Sequence, residues 1–249
     1  MRAGEKYDDF TDMTIAGKLD DILESKEPVE LKDIFRGIER KQKVVLLLGA
    51  HGSGKTTVSV YICQQWALNY LFSKCDLVIF IQLHDPAVHK ATKLADIIPS
   101  QNDSTASRIA AEIEGNGGQN VLWILDGWDK LPHELRENSY LHMLVTFQRS
   151  PISESSIIVT STPFCSSNLG VSYHRHPLYQ SQVELEGLQS DQLQNYFTDY
   201  LQGDAETTGV LLEKLENNQI FAGLCGIPLL NASILGYVSQ IHFLLLSMN

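Results

Sequence analysis

Short, continuously apolar runs punctuate the first three quarters of the chain and predict buried β-strands. The clearest runs are VVLLL from Val44, LVIFIQL from Leu77, VLWIL from Val121 and IIVT from Ile157. A shorter run, from Val183 to Leu185, predicts a fifth strand. Runs without polar alternation are typical of strands covered on both faces. Because helical stretches separate these runs, the pattern predicts a mostly parallel sheet covered by helices.

Helical periodicity is clearest in two regions. Apolar side chains recur every four residues after the first strand: Val58, Ile62, Trp66 and Tyr70. A second apolar face follows Ser190, a candidate N-cap: Leu193, Phe197 and Leu201. Further helical segments, split near Gly226 and Pro228, follow to the end of the chain. We therefore predict a charged helical lead-in over residues 1–42, an α/β domain over 43–187 and a small all-helical domain over 188–249.

The charge distribution argues against a nucleic-acid partner. The formal net charge is -11, and residues 182–249 hold eight acids against the single base Lys214. Such a surface repels phosphate backbones.

The N-terminus lacks the pattern of a signal peptide, and no apolar run approaches the roughly 18 residues of a membrane span. The four cysteines show no CxxC spacing, which fits free thiols in the cytoplasm.

The segment after the first predicted strand carries a complete phosphate-binding signature. Its sequence, GAHGSGKT, satisfies GxxxxGK[ST] between a strand and a helix. Glycines let successive backbone amides face the phosphates, and the helix N-terminus adds a positive dipole end. Lys55 is expected to reach the β- and γ-phosphates, and the Thr56 hydroxyl to bind Mg²⁺. The predicted nucleotide-binding residues of this P-loop are Gly49, Ala50, His51, Gly52, Ser53, Gly54, Lys55, Thr56 and Thr57.

Acidic residues follow the third apolar run. Asp126 ends that run, at the strand tip where ligands bind in open α/β sheets. We predict that it holds the same Mg²⁺ as Thr56, the Walker B role. Asp129 lies just beyond and is predicted to orient a catalytic water. An ordinary N-cap or surface role for Asp129 stays open.

Together these motifs resemble the NACHT domain of metazoan NLR-type receptors, in the STAND class of P-loop NTPases. The resemblance runs from about Val29 to Gln240 and is carried by GAHGSGKTT, VLWILDGWDKLP, SIIVTSTP, VELEGLQSDQLQNYF and LCGIPLLNASILGYVSQ. It implies that the Ile157–Thr160 strand inserts between the P-loop and Walker B strands. Ser161 and Thr162 would then lie near the γ-phosphate.

The resemblance also implies that Pro228, in the small helical domain, packs against the nucleotide base. From the residues alone, Pro228 is only a helix break.

Two positions depart from the family pattern. Lys130 follows Asp129 where the family usually has Glu, and Thr162 stands where it usually has Arg. Both departures remove charges that assist hydrolysis, so we predict slow or negligible turnover with binding retained. The family continues into a winged-helix domain, which does not fit after Asn249, so we expect a piece of a longer receptor.

The resemblance implies a cytoplasmic signalling switch that binds ATP or ADP with Mg²⁺, acts in innate immune sensing and self-associates in its ATP state. Alternatives are an ordinary P-loop ATPase or kinase, or a degenerate scaffold that binds no nucleotide. A GTPase would need a base-reading Asn/Thr-Lys-x-Asp motif after Asp126, and the near match Ser73–Asp76 comes too early. A kinase would need a basic lid, but the later arginines are scattered: Arg136, Arg149 and Arg175.

Overall fold

The computed structural model of the protein describes residues 28–137, 139–146, 150–163, 180–188, 190–201 and 205–236. The chain divides into a unit that ends at Ile34 and a second unit that begins at Phe35. In the described part of the first unit, Leu31–Asp33 forms a 3₁₀ turn. Most of the predicted lead-in and the last residues of the predicted helical domain lie outside the described residues. The predicted domain boundaries therefore stay predictions.

A five-stranded sheet organises the second unit. Its strands are β1 (Lys43–Leu48), β2 (Leu77–Gln82), β3 (Val121–Asp126), β4 (Ser156–Ser161) and β5 (Ser181–Glu184). They lie in the order β2-β3-β4-β1-β5, and all neighbouring pairs are parallel. This sheet confirms the predicted fold class, and β4 lies between β1 and β3 as the family resemblance implied.

Burial along the strands follows their place in the sheet. All six residues of β3 are buried, as are five of the six in β1 and in the central strand β4. The edge strands β2 and β5 are only partly buried. Trp123 of β3 is fully buried, and its indole Nε1 donates to Ser155 Oγ over 3.2 Å. The most completely buried strands are thus those in or next to the middle of the sheet, whereas the long run LVIFIQL forms the edge strand β2.

Helices connect the strands and continue after β5. They are α1 (Lys55–Ala67), α2 (Asp103–Asn116), α3 (His133–Glu137), α4 (Tyr140–Val145), α5 (Ser190–Tyr200), α6 (Ala205–Asn217) and α7 (Gln219–Cys225). Residues 228–236 are helical as well and are called the C-terminal segment below. Shorter 3₁₀ turns form at Val88–Lys90, Leu94–Asp96 and Trp128–Lys130. No helix in the described ranges is long and apolar enough to cross a bilayer.

The predicted stripe on α1 is wrong at its last member. The helix ends at Ala67, and Tyr70 is 75% exposed. Asn69 has a left-handed φ of 63°, and the Tyr70 N–H turns back to the Gln65 carbonyl over 2.8 Å. This is a helix-ending Schellman arrangement with Asn in the left-handed position. Spacing alone could not show that the helix stops one turn before Tyr70.

The helices after β5 have a small core of their own. Its buried members are Leu193, Phe197, Leu211, Cys225 and Leu235, and Leu201 packs against them. The apolar face predicted after Ser190 is therefore confirmed, and α5 begins at Ser190 itself.

Candidate nucleotide-binding site

A cleft of about 490 Å³ lies at the carboxyl ends of β1, β3 and β4. This is the size of a small-ligand pocket. Its walls are the loop after β1, the turn after β3, one residue of β4 and the start of the C-terminal segment. Most of the predicted site residues line it: His51, Gly52, Gly54, Lys55, Thr56, Thr57, Asp126, Asp129 and Pro228. The sequence motifs therefore meet in one place.

The P-loop depends on glycine at three positions. Gly52 and Gly54 have φ values of +80° and +95°, which side chains other than glycine rarely adopt. At Gly49 the limit is space, because a Cβ would collide with Ser53 Oγ. The Ser53 N–H donates to the Ala50 carbonyl over 3.2 Å. Gly49, Ala50 and Ser53 are not among the described residues that line the cleft, and they shape the loop instead.

Lys55 lies across the loop that precedes it. Its ammonium donates to the carbonyls of Gly49 and Ala50 over 2.7 and 2.9 Å. Burial lowers the pKa of Lys55, while the nearby carboxylates of Asp129 and Asp126 act in the opposite direction. The side chain is thus a partly desolvated cation between the P-loop and the acids of β3, ready to bind an anion.

The two predicted Mg²⁺ ligands are directly hydrogen-bonded. Asp126 is only 1% exposed, and its Oδ2 accepts from the Thr56 hydroxyl over 2.7 Å. Its Oδ1 accepts from the Thr160 hydroxyl, also over 2.7 Å. The Gly127 N–H then donates to Thr160 Oγ1 over 2.8 Å. We call these four residues the floor network.

Thr160 is the site residue that the sequence analysis did not single out. All three hydroxyl residues Thr160, Ser161 and Thr162 are buried, but of these only Thr160 is among the described residues that line the cleft. The placement of Ser161 and Thr162 near a γ-phosphate stays a prediction, and Thr160 is added as the residue of β4 that lines the cleft. A usable signal was present, because Thr160 is the hydroxyl that ends the otherwise apolar predicted run from Ile157.

The turn after β3 is bonded less completely. Asp129 lines the cleft, yet its Oδ1 is buried without a hydrogen-bond partner in the described structure. Trp128 is fully buried, and its indole Nε1 likewise has no partner there. Arg136 holds the turn from outside by donating to the Asp129 carbonyl over 2.7 Å. Since α3 begins only at His133, Asp129 is not the N-cap of that helix.

The C-terminal segment closes one side of the cleft. The Leu229 N–H donates to the Gly52 carbonyl over 3.2 Å. Pro228 and Ala232 line the cleft beside it. Contact between Pro228 and a nucleotide base stays a prediction, but Pro228 does lie in the wall that faces the P-loop.

The donors in the floor network suit magnesium. In the described ranges, no group of three or more His, Cys, Asp or Glu side chains could hold a metal alone. The hydroxyl of Thr56 and the carboxylate of Asp126 are instead two hard oxygens, both lining the open cleft. Mg²⁺ is usually held by one or two such groups together with phosphate oxygens and waters.

The family model of the NACHT domain matches residues 43–204, more than half of the chain. The chain belongs to the NACHT family. The matched residues contain the P-loop, the floor network and the turn after β3.

The chain is also similar to parts of longer curated proteins. The chain is 24% identical over 221 residues to human NACHT, LRR and PYD domains-containing protein 10, covering 81% of this chain and 32% of the relative. It is 25% identical over 213 residues to human Protein NLRC5, covering 84% of this chain and 11% of the relative. The chain thus spans about a third or less of the length of these relatives.

Among solved structures, a RuvB mutant of Thermotoga maritima matches with 14% identity and a TM-score of 0.45. That match covers 82% of this chain and 57% of the other.

Of the two departures from the NACHT pattern, one lies in the cleft. Lys130 lines it directly, whereas Thr162 is buried just past β4. The departure at Lys130 therefore bears on the site itself.

Proposed function

We propose that the chain is the ATP- or ADP-binding NACHT module of an NLR-like signalling switch with weak or no hydrolysis. The floor network carries this proposal, because it joins the P-loop threonine to the β3 carboxylate among the residues that line an open cleft. Family membership further supports a cytoplasmic location, a part in innate immune sensing and self-association in the ATP state.

Each part of the site has a role in binding. Backbone amides of the P-loop would hold the phosphates, with Lys55 supplying a positive charge beside them. Thr56 and Asp126 would hold Mg²⁺, which neutralises phosphate charge when bound. The cleft extends to Pro228, leaving that wall for the nucleoside.

Equilibrium titration with labelled ATP and Mg²⁺ tests the proposal. Lys55→Ala should weaken ATP binding by about 100-fold. The change removes the proposed charge-assisted hydrogen bonds to the β- and γ-phosphates, worth roughly 1.5 kcal/mol or more each. Lys74→Ala is the matched control, since Lys74 is exposed and precedes the amino end of β2, whereas the cleft lies at the carboxyl ends of the strands. It should leave ATP binding unchanged.

Absence of ATP binding by the wild-type chain would refute the proposal and favour a degenerate scaffold. Equal affinity of the wild type and Lys55→Ala would also count against it.

Slow hydrolysis is tested separately by phosphate release at saturating ATP. We expect negligible turnover from the wild type, because neither an acid at position 130 nor a cation at position 162 is present. Lys130→Glu combined with Thr162→Arg should raise the rate, within the roughly 10²–10³-fold range of a preorganised charge stabiliser. Lys130→Glu alone is included because Thr162 is buried. Brisk wild-type turnover that neither variant raises would refute weak hydrolysis.

A further inference from the structure

Lys130 is the second lysine that lines the cleft. It ends the 3₁₀ turn after β3, and its N–H donates to the Gly127 carbonyl over 2.9 Å. Its aliphatic chain runs over Gly127, where a Cβ would lie 2.9 Å from Lys130 Cδ. With its φ of +88°, Gly127 thus both forms the turn and leaves room for the lysine. The backbone conformation of Gly127 and its lack of a side chain therefore fix the path of Lys130 along the cleft wall.

The positive charge of Lys130 is close enough to Lys55 to act on it electrostatically. Lys130 contributes to the lowered pKa of Lys55, after the larger effect of burial. Lys55 is engaged with two loop carbonyls, but none of the ion pairs found among the described residues involves Lys130. Lys130 is also exposed. A ligand could therefore contact Lys130 without displacing a hydrogen bond or ion pair of the kind that Lys55 makes.

Charge balance favours an anionic ligand at Lys130. The acids of the cleft are Asp126 and Asp129, and its lysines are Lys55 and Lys130. Glutamate at position 130 would leave three carboxylates against one ammonium. Lysine balances the charges before any metal binds, which lowers the repulsion that a polyphosphate meets.

We propose that Lys130 contacts the terminal phosphate of a nucleoside triphosphate and makes the cleft prefer triphosphate over diphosphate. This inference rests on the proposed nucleotide binding. The P-loop and Lys55 occupy the β1 side of the cleft, whereas Lys130 follows the metal-binding Asp126 on the β3 side. A phosphate chain that starts on the loop and passes the Thr56–Asp126 pair would end at Lys130.

Calorimetric titration of the full chain with ATP and with ADP, both with Mg²⁺, tests the role of Lys130. Lys130→Met should weaken ATP binding by about tenfold or more, as expected for loss of a hydrogen bond between charged groups. ADP binding should change by less than about twofold, because a screened charge acts weakly at longer range. Lys130→Arg should keep the preference for ATP, and Lys74→Met should leave both affinities as they are.

Two results would overturn the inference: a parallel loss of ATP and ADP affinity, or no loss of either. The first would show general electrostatic attraction, and the second a solvated surface lysine. Failure of the wild type to bind either nucleotide would instead remove the proposed function and this inference with it. Thermal unfolding without nucleotide checks that Lys130→Met is folded, and Lys130→Gln provides a second neutral variant.

Discussion

The floor network and the turn after β3 meet at Gly127 but differ sharply in how their polar groups are satisfied. In the floor network both Asp126 oxygens accept hydrogen bonds, and Thr160 both donates and accepts. In the turn, Asp129 Oδ1 and Trp128 Nε1 are buried without partners in the described structure. Because unpaired buried polar groups are costly, they are rare and often mark functional positions. The difference suggests a floor that is fixed before a ligand binds, beside a turn that still has bonds to form.

Removing the charge at the centre of the floor network should have the largest effect. Asp126→Asn keeps the shape of the side chain but loses the anionic metal ligand. The gain in ATP affinity that Mg²⁺ provides should fall by about 100-fold or more, since even loss of a partner outside the ligand shell costs about 10–100-fold in metal affinity. Titrations with Mg²⁺ and with a chelator measure that gain.

Asp129→Asn is the comparison variant for this experiment. If Asp126 is the metal ligand, Asp129→Asn should keep most of the Mg²⁺-dependent gain. An equal loss in both variants would mean that the floor network is not the distinct metal-binding region.

Deleting one hydroxyl tests whether the floor network is fixed without ligand. Thr160→Val removes a donor to Asp126 and leaves the Gly127 N–H unpaired. The free energy of unfolding should fall by about 2 kcal/mol, measured by denaturant unfolding without nucleotide. Thr160→Ser keeps the hydroxyl and should cost only about 0.8 kcal/mol for the lost methyl group. A loss for Thr160→Val that is no larger than the loss for Thr160→Ser would contradict this expectation, because Val lacks only the hydroxyl.

The smallest change is expected at the unpaired indole. Trp128→Phe removes an N–H that has no partner, so relief of its burial offsets part of the lost packing. The free energy of unfolding should change by less than about 1 kcal/mol.

Trp123→Phe is the matched control, because Trp123 is equally buried but donates to Ser155. It should cost about 1 kcal/mol more than the change at Trp128. If Trp128→Phe lowers the free energy of unfolding more than Trp123→Phe does, the Trp128 indole N–H contributes to stability despite having no hydrogen-bond partner in the described structure.

The sequence predicts the elements of the site better than the contacts within it. The apolar runs locate the strands, and the glycine-lysine-threonine pattern locates the P-loop, because both signals lie within a few neighbouring residues. The position of β4 between β1 and β3 came from family resemblance, since hydrophobicity does not encode strand order. Thr160 was missed because its importance depends on that order, which brings its hydroxyl to Asp126.

Backbone conformation sets the other limit. The path of Lys130 depends on the positive φ of Gly127, and the end of α1 depends on the left-handed conformation of Asn69. Gly and Asn permit such conformations without requiring them. Their presence in the sequence therefore could not place Lys130 along the cleft wall or exclude Tyr70 from the helix.

The hydrogen bond from the Leu229 N–H to the Gly52 carbonyl attaches the C-terminal segment directly to the P-loop. A Cβ on Gly52 would lie 3.0 Å from Leu229 Cβ, so loop and segment touch with little clearance. Rotation of the Gly52 peptide toward a ligand would strain or release this attachment. Losing one hydrogen bond of about 1 kcal/mol changes the ratio of attached to detached C-terminal segment about fivefold. A ligand in the P-loop could therefore shift the position of that segment.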